Sequence, residues 1–202
     1  MKQLTTTIDL IRHGVPVGGS KYRGQIDDPL SDKGWSQMRS AVAGHCPWQS
    51  IVSSPLSRCA RFGEELAERH SLPLGFDERF MEIGFGAWEG LTRDQISADD
   101  PQALQQFYND PIQFRPPGAE TLVDFQQRVV SAWDDLLEAK SGQQVLLVAH
   151  AGVIRMIIGH VLGMPLTRMF RLYVANAGIS RIRIDGEGTD ALASLIFHDG
   201  AL

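Results

Sequence analysis

Apolar residues fall along the chain in short runs separated by longer stretches of helical spacing. Thr7 to Ile11 is one such run, and it stops abruptly at Arg12, His13 and Gly14. A few consecutive apolar or β-branched residues bounded by a break mark a buried strand. Gln49–Ser53, Leu72–Phe76 and Gln144–Ala149 read the same way, the last most strongly. Leu30, Trp35, Met38 and Val42 recur near helical spacing as core residues, so a helix capped by Ser31 runs to about Ala43. Ser54-Pro55 opens a second helix, with the proline near its first turn. From Ser97 to about Glu138 the character is helical but interrupted by Pro101, Pro111, Pro116 and Pro117. That predicts an inserted helical cap over about 90–120, a loop, and a long helix from about Thr121 to Ala139. A further helix begins near Val153. Phe170–Val174, Gly178–Ile184 and Ala191–Phe197 are predicted as short strands, two of them forming a hairpin through Asp185-Gly186-Glu187-Gly188.

Length narrows this pattern to one α/β domain over residues 1–202, long enough for a substantial core and short for two. The net charge of −5 argues against a general nucleic-acid surface, so any anion site must be a local concentration of arginine. Cys46 and Cys59 lie in no metal-ligand or redox spacing, which suits a reducing compartment, and Cys59 reads as a small buried filler. Met1 to Thr7 has no apolar core of a signal peptide, and no window reaches the length of a membrane span. A cytoplasmic protein without membrane or nucleic-acid partners is expected; the oligomeric state is not legible.

Candidate chemistry sits where the apolar runs end. A neutral imidazole is a competent nucleophile, and a neighbouring guanidinium can hold phosphoryl oxygens, so Arg12-His13-Gly14 is a candidate phosphate-attacking tip. Gly14 offers backbone freedom and close ligand approach. The tripeptide alone is weak, but it has company. Ser53-Ser54-Pro55-Leu56-Ser57-Arg58, Met81-Glu82-Ile83-Gly84 and Val148-Ala149-His150-Ala151-Gly152 each follow a predicted strand. Ligands of an open α/β sheet bind beyond the carboxyl ends of its strands, so these stretches can converge on one pocket. Arg58 also falls near a helix N-terminus, which suits an anion. Arg61 and Arg69 read as exposed.

These four motifs, running from about Leu10 to about Arg155, resemble the histidine phosphatase superfamily, the phosphoglycerate mutase-like proteins. The compact length, the Tyr22-Arg23-Gly24 and Asp27-Asp28-Pro29-Leu30 runs and the Phe85–Gly90 loop look most like the α-ribazole phosphatase group. The resemblance implies a three-layer sandwich with a mostly parallel central sheet and a small helical cap. It also implies a metal-independent phosphomonoesterase, without cofactor, acting on a small phosphorylated metabolite such as α-ribazole 5′-phosphate through a phosphohistidine on His13.

On that reading Arg12, Arg58, His150 and the backbone N–H of Ala151 hold the phosphoryl oxygens. Glu82 protonates the leaving alkoxide and later accepts a proton from water, with activity best at mildly acidic to neutral pH. Arg23 and Gly24 lie where the family contacts substrate, although a solvated loop arginine reads equally well. Val15 and Pro16, and the glycines that follow, depart from the family's usual acidic, Ser/Thr and Asn positions. Arg115–Thr121 resembles the family's Pro-Gly-Gly-Glu-Ser element and is expected to shape substrate entry. Glu78 and Glu89 are expected at the surface or bracing loops, and His45, His70, His160 and His198 have no matching motif. Mutase-type transfer needs extra segments for which this chain lacks room. A phosphoprotein phosphatase and a catalytically silent phosphate-binding module complete the alternatives.

Overall fold

The computed structural model describes residues 4–186, 188, 191–200 and 202. Six strands, β1 (Thr5–Arg12), β2 (Ser50–Ser53), β3 (Leu74–Phe76), β4 (Gln144–Ala149), β5 (Ile179–Asp185) and β6 (Leu192–Gly200), form one sheet in the order β3-β2-β4-β1-β5-β6. The first four run parallel, and β5 and β6 add an antiparallel edge. Strands covered on both faces need apolar residues at every position, and β4 shows this: Val145 through Ala149 are completely buried.

Alternate residues of β4 serve opposite layers. Val145, Leu147 and Ala149, with Ile8 and Leu10 of β1, pack against α5 (Leu122–Ala139) and α6 (Ala151–Val161). Leu146 and Val148, with Ile11 and Ile51, pack against α1 (Asp32–Ala41) and α2 (Ser57–His70). The result is the expected three-layer α/β sandwich. Two short helices, α3 (Arg93–Asp99) and α4 (Ala103–Asn109), lie within the predicted cap and share a separate small core of Trp88, Ile96, Leu104 and Phe107.

Several boundaries differ from the sequence reading. Ser31 caps α1 as expected, its Oγ accepting from Gly34 N at 3.1 Å, but the helix stops at Ala41. Pro55 falls two residues ahead of α2, and α6 starts at Ala151 rather than near Val153. Phe170–Val174 is not a strand. A 3-10 helix spans Leu166–Arg171, and Met169 and Val174 fill the core beside α6. Both long sides of β5 are already taken by β1 and β6, so the segment has no ladder to join there. The hairpin between β5 and β6 forms, although Glu187 in its turn lies outside the described residues.

Candidate active site

Hydrogen bonding continues past the ends of the central strands and gathers the loops that follow them. His13 N donates to Ala149 O at 3.0 Å, and Ser54 N donates to Val148 O at 3.0 Å. The imidazoles of His13 and His150 therefore meet edge to face, with centroids 5.2 Å apart. A cavity of about 150 Å³ opens there, with Arg12, His13, Arg58, Glu82 and Ala151 in its wall. Gly14 serves this junction differently from the expectation of ligand approach: a Cβ on it would overlap the backbone of Gly34 in α1.

His13 is set in one tautomer. Its Nδ1 lies 2.8 Å from Gly14 O, and a carbonyl only accepts, so Nδ1 carries the proton and Nε2 keeps its lone pair. Burial, then the Arg12 and Arg58 charges, push its pKa well below 6.5 and leave the ring neutral. His150 is also held neutral, by burial and then Arg58. Its Nε2 meets Ser54 Oγ at 2.7 Å, and the ring is fully buried with no face on the cavity. The structure thus places it beside His13, not on the cavity wall where the sequence reading had it holding a phosphoryl oxygen. Cys59 fills space under it, donating to Ala149 O at 3.4 Å, with its thiol pKa pushed up by burial.

The two arginines are tethered but not satisfied. Arg58, second residue of α2, donates Nη1 to Ile26 O at 2.7 Å and Nη2 to Gly24 O at 2.8 Å. Arg12 donates Nη1 to Val174 O at 2.7 Å, and burial lowers its pKa against the opposing pull of Glu82. The Nε of each is buried without a partner; Ser57 Oγ is the other such side-chain atom found among the described residues. A buried donor left unpaired costs about 1–3 kcal/mol, and both residues stand in the cavity wall, where their positive charge favours an anion.

Glu82 is positioned by backbone on both sides. Its Oε1 accepts from Ile83 N at 3.0 Å and from Gly152 N at 3.1 Å, which sets the carboxylate against the first turn of α6. Glycine at 152 leaves room for the carboxylate, because a Cβ there would overlap Glu82 Oε1. Arg128 of α5 clamps the same loop, donating to Arg79 O, Met81 O and Glu82 O while paired with Glu120 at 2.6 Å. No motif announced Arg128.

Arg23 also lines the cavity and is not a solvated loop arginine. It pairs with Asp28 at 2.9 Å and donates Nη2 to Val17 O and Gly19 O, both at 2.6 Å, so most of its donors fold the loop. Gly24 adopts φ +53°, and a Cβ there would overlap Glu89 Oε1, which braces Phe85 N at 2.9 Å and Gln25 N at 3.2 Å. Lys21, Tyr22, Phe85, Tyr108, Arg155 and Phe170 complete the wall and were not singled out from sequence as site residues. Arg155 carried one usable signal: it follows Ala151 by one helical turn, on the same face. Among the described residues, no group of three or more His, Cys, Asp or Glu is arranged to hold a metal ion, and no helix is long and apolar enough to cross a membrane.

Strand-end histidine, paired arginines and a carboxylate on this sheet define a class that comparison with known proteins makes specific. Residues 8–194 match the model of the histidine phosphatase superfamily (branch 1), and the chain belongs to that family. It is 31% identical over 182 residues to the probable phosphoglycerate mutase GpmB of Salmonella paratyphi C, covering 86% of this chain and 82% of that one. The Bifunctional protein Rv2228c of Mycobacterium tuberculosis is 29% identical over 193 residues, and the chain spans about half (52%) of that relative's length. Among solved structures, the mycobacterial glucosyl-3-phosphoglycerate phosphatase Rv2419c with VO3 superposes with a TM-score of 0.84 at 30% identity, over 95% of this chain and 97% of that one. The α-ribazole phosphatase of Shigella flexneri, at 24% identity and a TM-score of 0.81 over 96% of each chain, shares the fold.

Proposed function

We propose that this chain hydrolyses small phosphomonoesters through a phosphohistidine on His13. The carrying observation is a neutral imidazole, its Nδ1–H given to Gly14 O, standing in one cavity wall with the Arg12 and Arg58 guanidinium groups and the Glu82 carboxylate. Arg12, Arg58 and the Ala151 N–H at the start of α6 receive the phosphoryl oxygens. His13 Nε2 attacks phosphorus, the ester P–O bond breaks, and the leaving alkoxide takes the proton of the Glu82 carboxylic acid. Water then attacks the phosphohistidine, losing a proton to Glu82, and inorganic phosphate and free His13 are restored. His150 supports this from beside the nucleophile, holding Ser54 and the neutral ring pair in place.

Residues 1–202 act as one unit on this reading, with the cap over about 90–120 forming part of the entrance, in a cytoplasmic setting. The scheme routes no step through a metal or cofactor. The test is phosphate release in EDTA by wild type and His13→Ala on α-ribazole 5′-phosphate, 3-phosphoglycerate, a phosphopeptide and an aryl phosphate. Release that vanishes in the variant is expected. Phosphoryl exchange between alcohols without net release would favour mutase-type transfer, and phosphate binding without turnover would favour a silent binding module.

A further inference from the structure

We propose that the leaving alcohol of the substrate carries a second anionic group, a carboxylate or a phosphate, and that Arg155 reads it; this rests on the phosphatase reading above. The starting point is charge. Arg12, Lys21, Arg23, Arg58 and Arg155 line the cavity against a single carboxylate, Glu82. Asp28 neutralises Arg23, which leaves three positive charges in a chain whose net charge is −5. A phosphomonoester brings only about 1.5–2 negative charges at neutral pH. Its oxygens are assigned to Arg12 and Arg58, which stand beside His13 in the cavity wall. A surplus cation remains in a small space of about 150 Å³.

Arg155 is the surplus cation held most firmly in position. Its Nε donates to Leu172 O at 2.7 Å, and its guanidinium lies over the Phe170 ring at 5.7 Å. No carboxylate of the described residues forms an ion pair with it. A largely buried cation without an ion-pair partner is costly, and Glu82, whose charge it senses, is shared with Arg12. Arg155 lines the same cavity as Glu82, which protonates the departing oxygen, and as Tyr22 and Tyr108. Beyond the Tyr22–Tyr108 hydroxyl pair, 2.7 Å apart, lies a second cavity of about 160 Å³ walled by Ser20, Lys21 and Arg93. Lys21 faces both spaces, so the path of the leaving group stays positive as it widens.

The test compares three phosphate esters whose terminal group sits the same number of bonds from the ester oxygen: that of 3-hydroxypropanamide, which is neutral, that of 3-hydroxypropanoate, and that of 2-hydroxyethylphosphonate. Wild type is expected to favour at least one anionic ester over the amide by about tenfold or more in kcat/KM, as a site built to pair with a group discriminates against its absence. Whichever of the two leads identifies the anion. Arg155→Gln should bring that ratio towards one, chiefly through KM, and Arg155→Lys should restore part of it. Lys21→Gln, at an exposed position, should lower the ratio less and serves if Arg155→Gln fails to fold. A wild-type ratio near one, or a ratio unmoved by substitution at both positions, overturns the proposal. If all three esters and an aryl phosphate go unhydrolysed, the phosphatase reading itself fails and takes this inference with it.

Discussion

The floor of the cavity and its outer wall are made of different materials. Arg12, His13 and Arg58 stand at strand ends or in the first turn of a helix, and each is tied to a backbone carbonyl. Tyr22, Tyr108 and Phe170 come from a loop, a cap helix and a 3-10 turn, and hold one another by ring contacts and one hydroxyl pair. The floor is fixed by sheet ladders that cannot slip without turning buried residues outward. The wall rests on side-chain packing between elements that share a core separate from the main ones. One region can therefore keep the chemistry while the other changes the substrate.

That contrast is open to attack first at the floor. His13→Ala should lower kcat by about a thousandfold or more, as removal of a nucleophile does; residual turnover within tenfold of wild type would show that another group attacks. Glu82→Gln should cost about 10²–10⁴-fold on an alkyl phosphate and much less on an aryl phosphate, whose leaving group needs no proton. Gly152→Ala should mimic it in milder form, because the new methyl displaces the carboxylate and not the helix. Equal losses on both substrates, or a large fall in melting temperature, would place the defect elsewhere.

Wall substitutions should be gentler. Tyr108→Phe removes the hydroxyl contacts to Tyr22 and Arg93 but keeps the ring stacking, so KM should move by less than about tenfold with kcat nearly constant. A collapse of kcat would mean that the wall takes part in the chemistry. The smallest effect is on stability. His13 and His150 are held neutral in the folded chain, while unfolded histidines take up protons as pH falls below about 6.5. Stability is therefore fully present above pH 6.5 and declines as pH falls, by up to about 1.4 kcal/mol per unit for each ring. Denaturant melts of wild type and His13→Ala between pH 5 and 7.5 should show a shallower slope in the variant; equal slopes would remove His13 from the account.

The same division governs what the sequence disclosed. Strand cores are local patterns, and the motifs that follow them, with Arg12, His13, Arg58 and Glu82, could be named once their order was matched to the family resemblance, which singled out Glu82 from Glu78 and Glu89. Arg128 and Arg155 act through carbonyls and rings brought close only by packing, and their own neighbourhoods in sequence look like ordinary helix. Phe170–Val174 has the composition of a strand, but β-structure requires a partner edge, which no local pattern records. Arg23 read equally well as ligand or surface residue because the Val17 and Gly19 carbonyls that consume its donors are contributed by loop conformation.

The claim that everything else depends on is that His13 carries the phosphoryl group. Mixing the protein with a good phosphomonoester, quenching rapidly at alkaline pH where phosphohistidine survives, and mapping the adduct by mass spectrometry tests it directly. One phosphoryl group is expected, on His13 Nε2, formed in Glu82→Gln and absent from His13→Ala. A phosphoryl group on any other residue, or full turnover by His13→Ala, would contradict it.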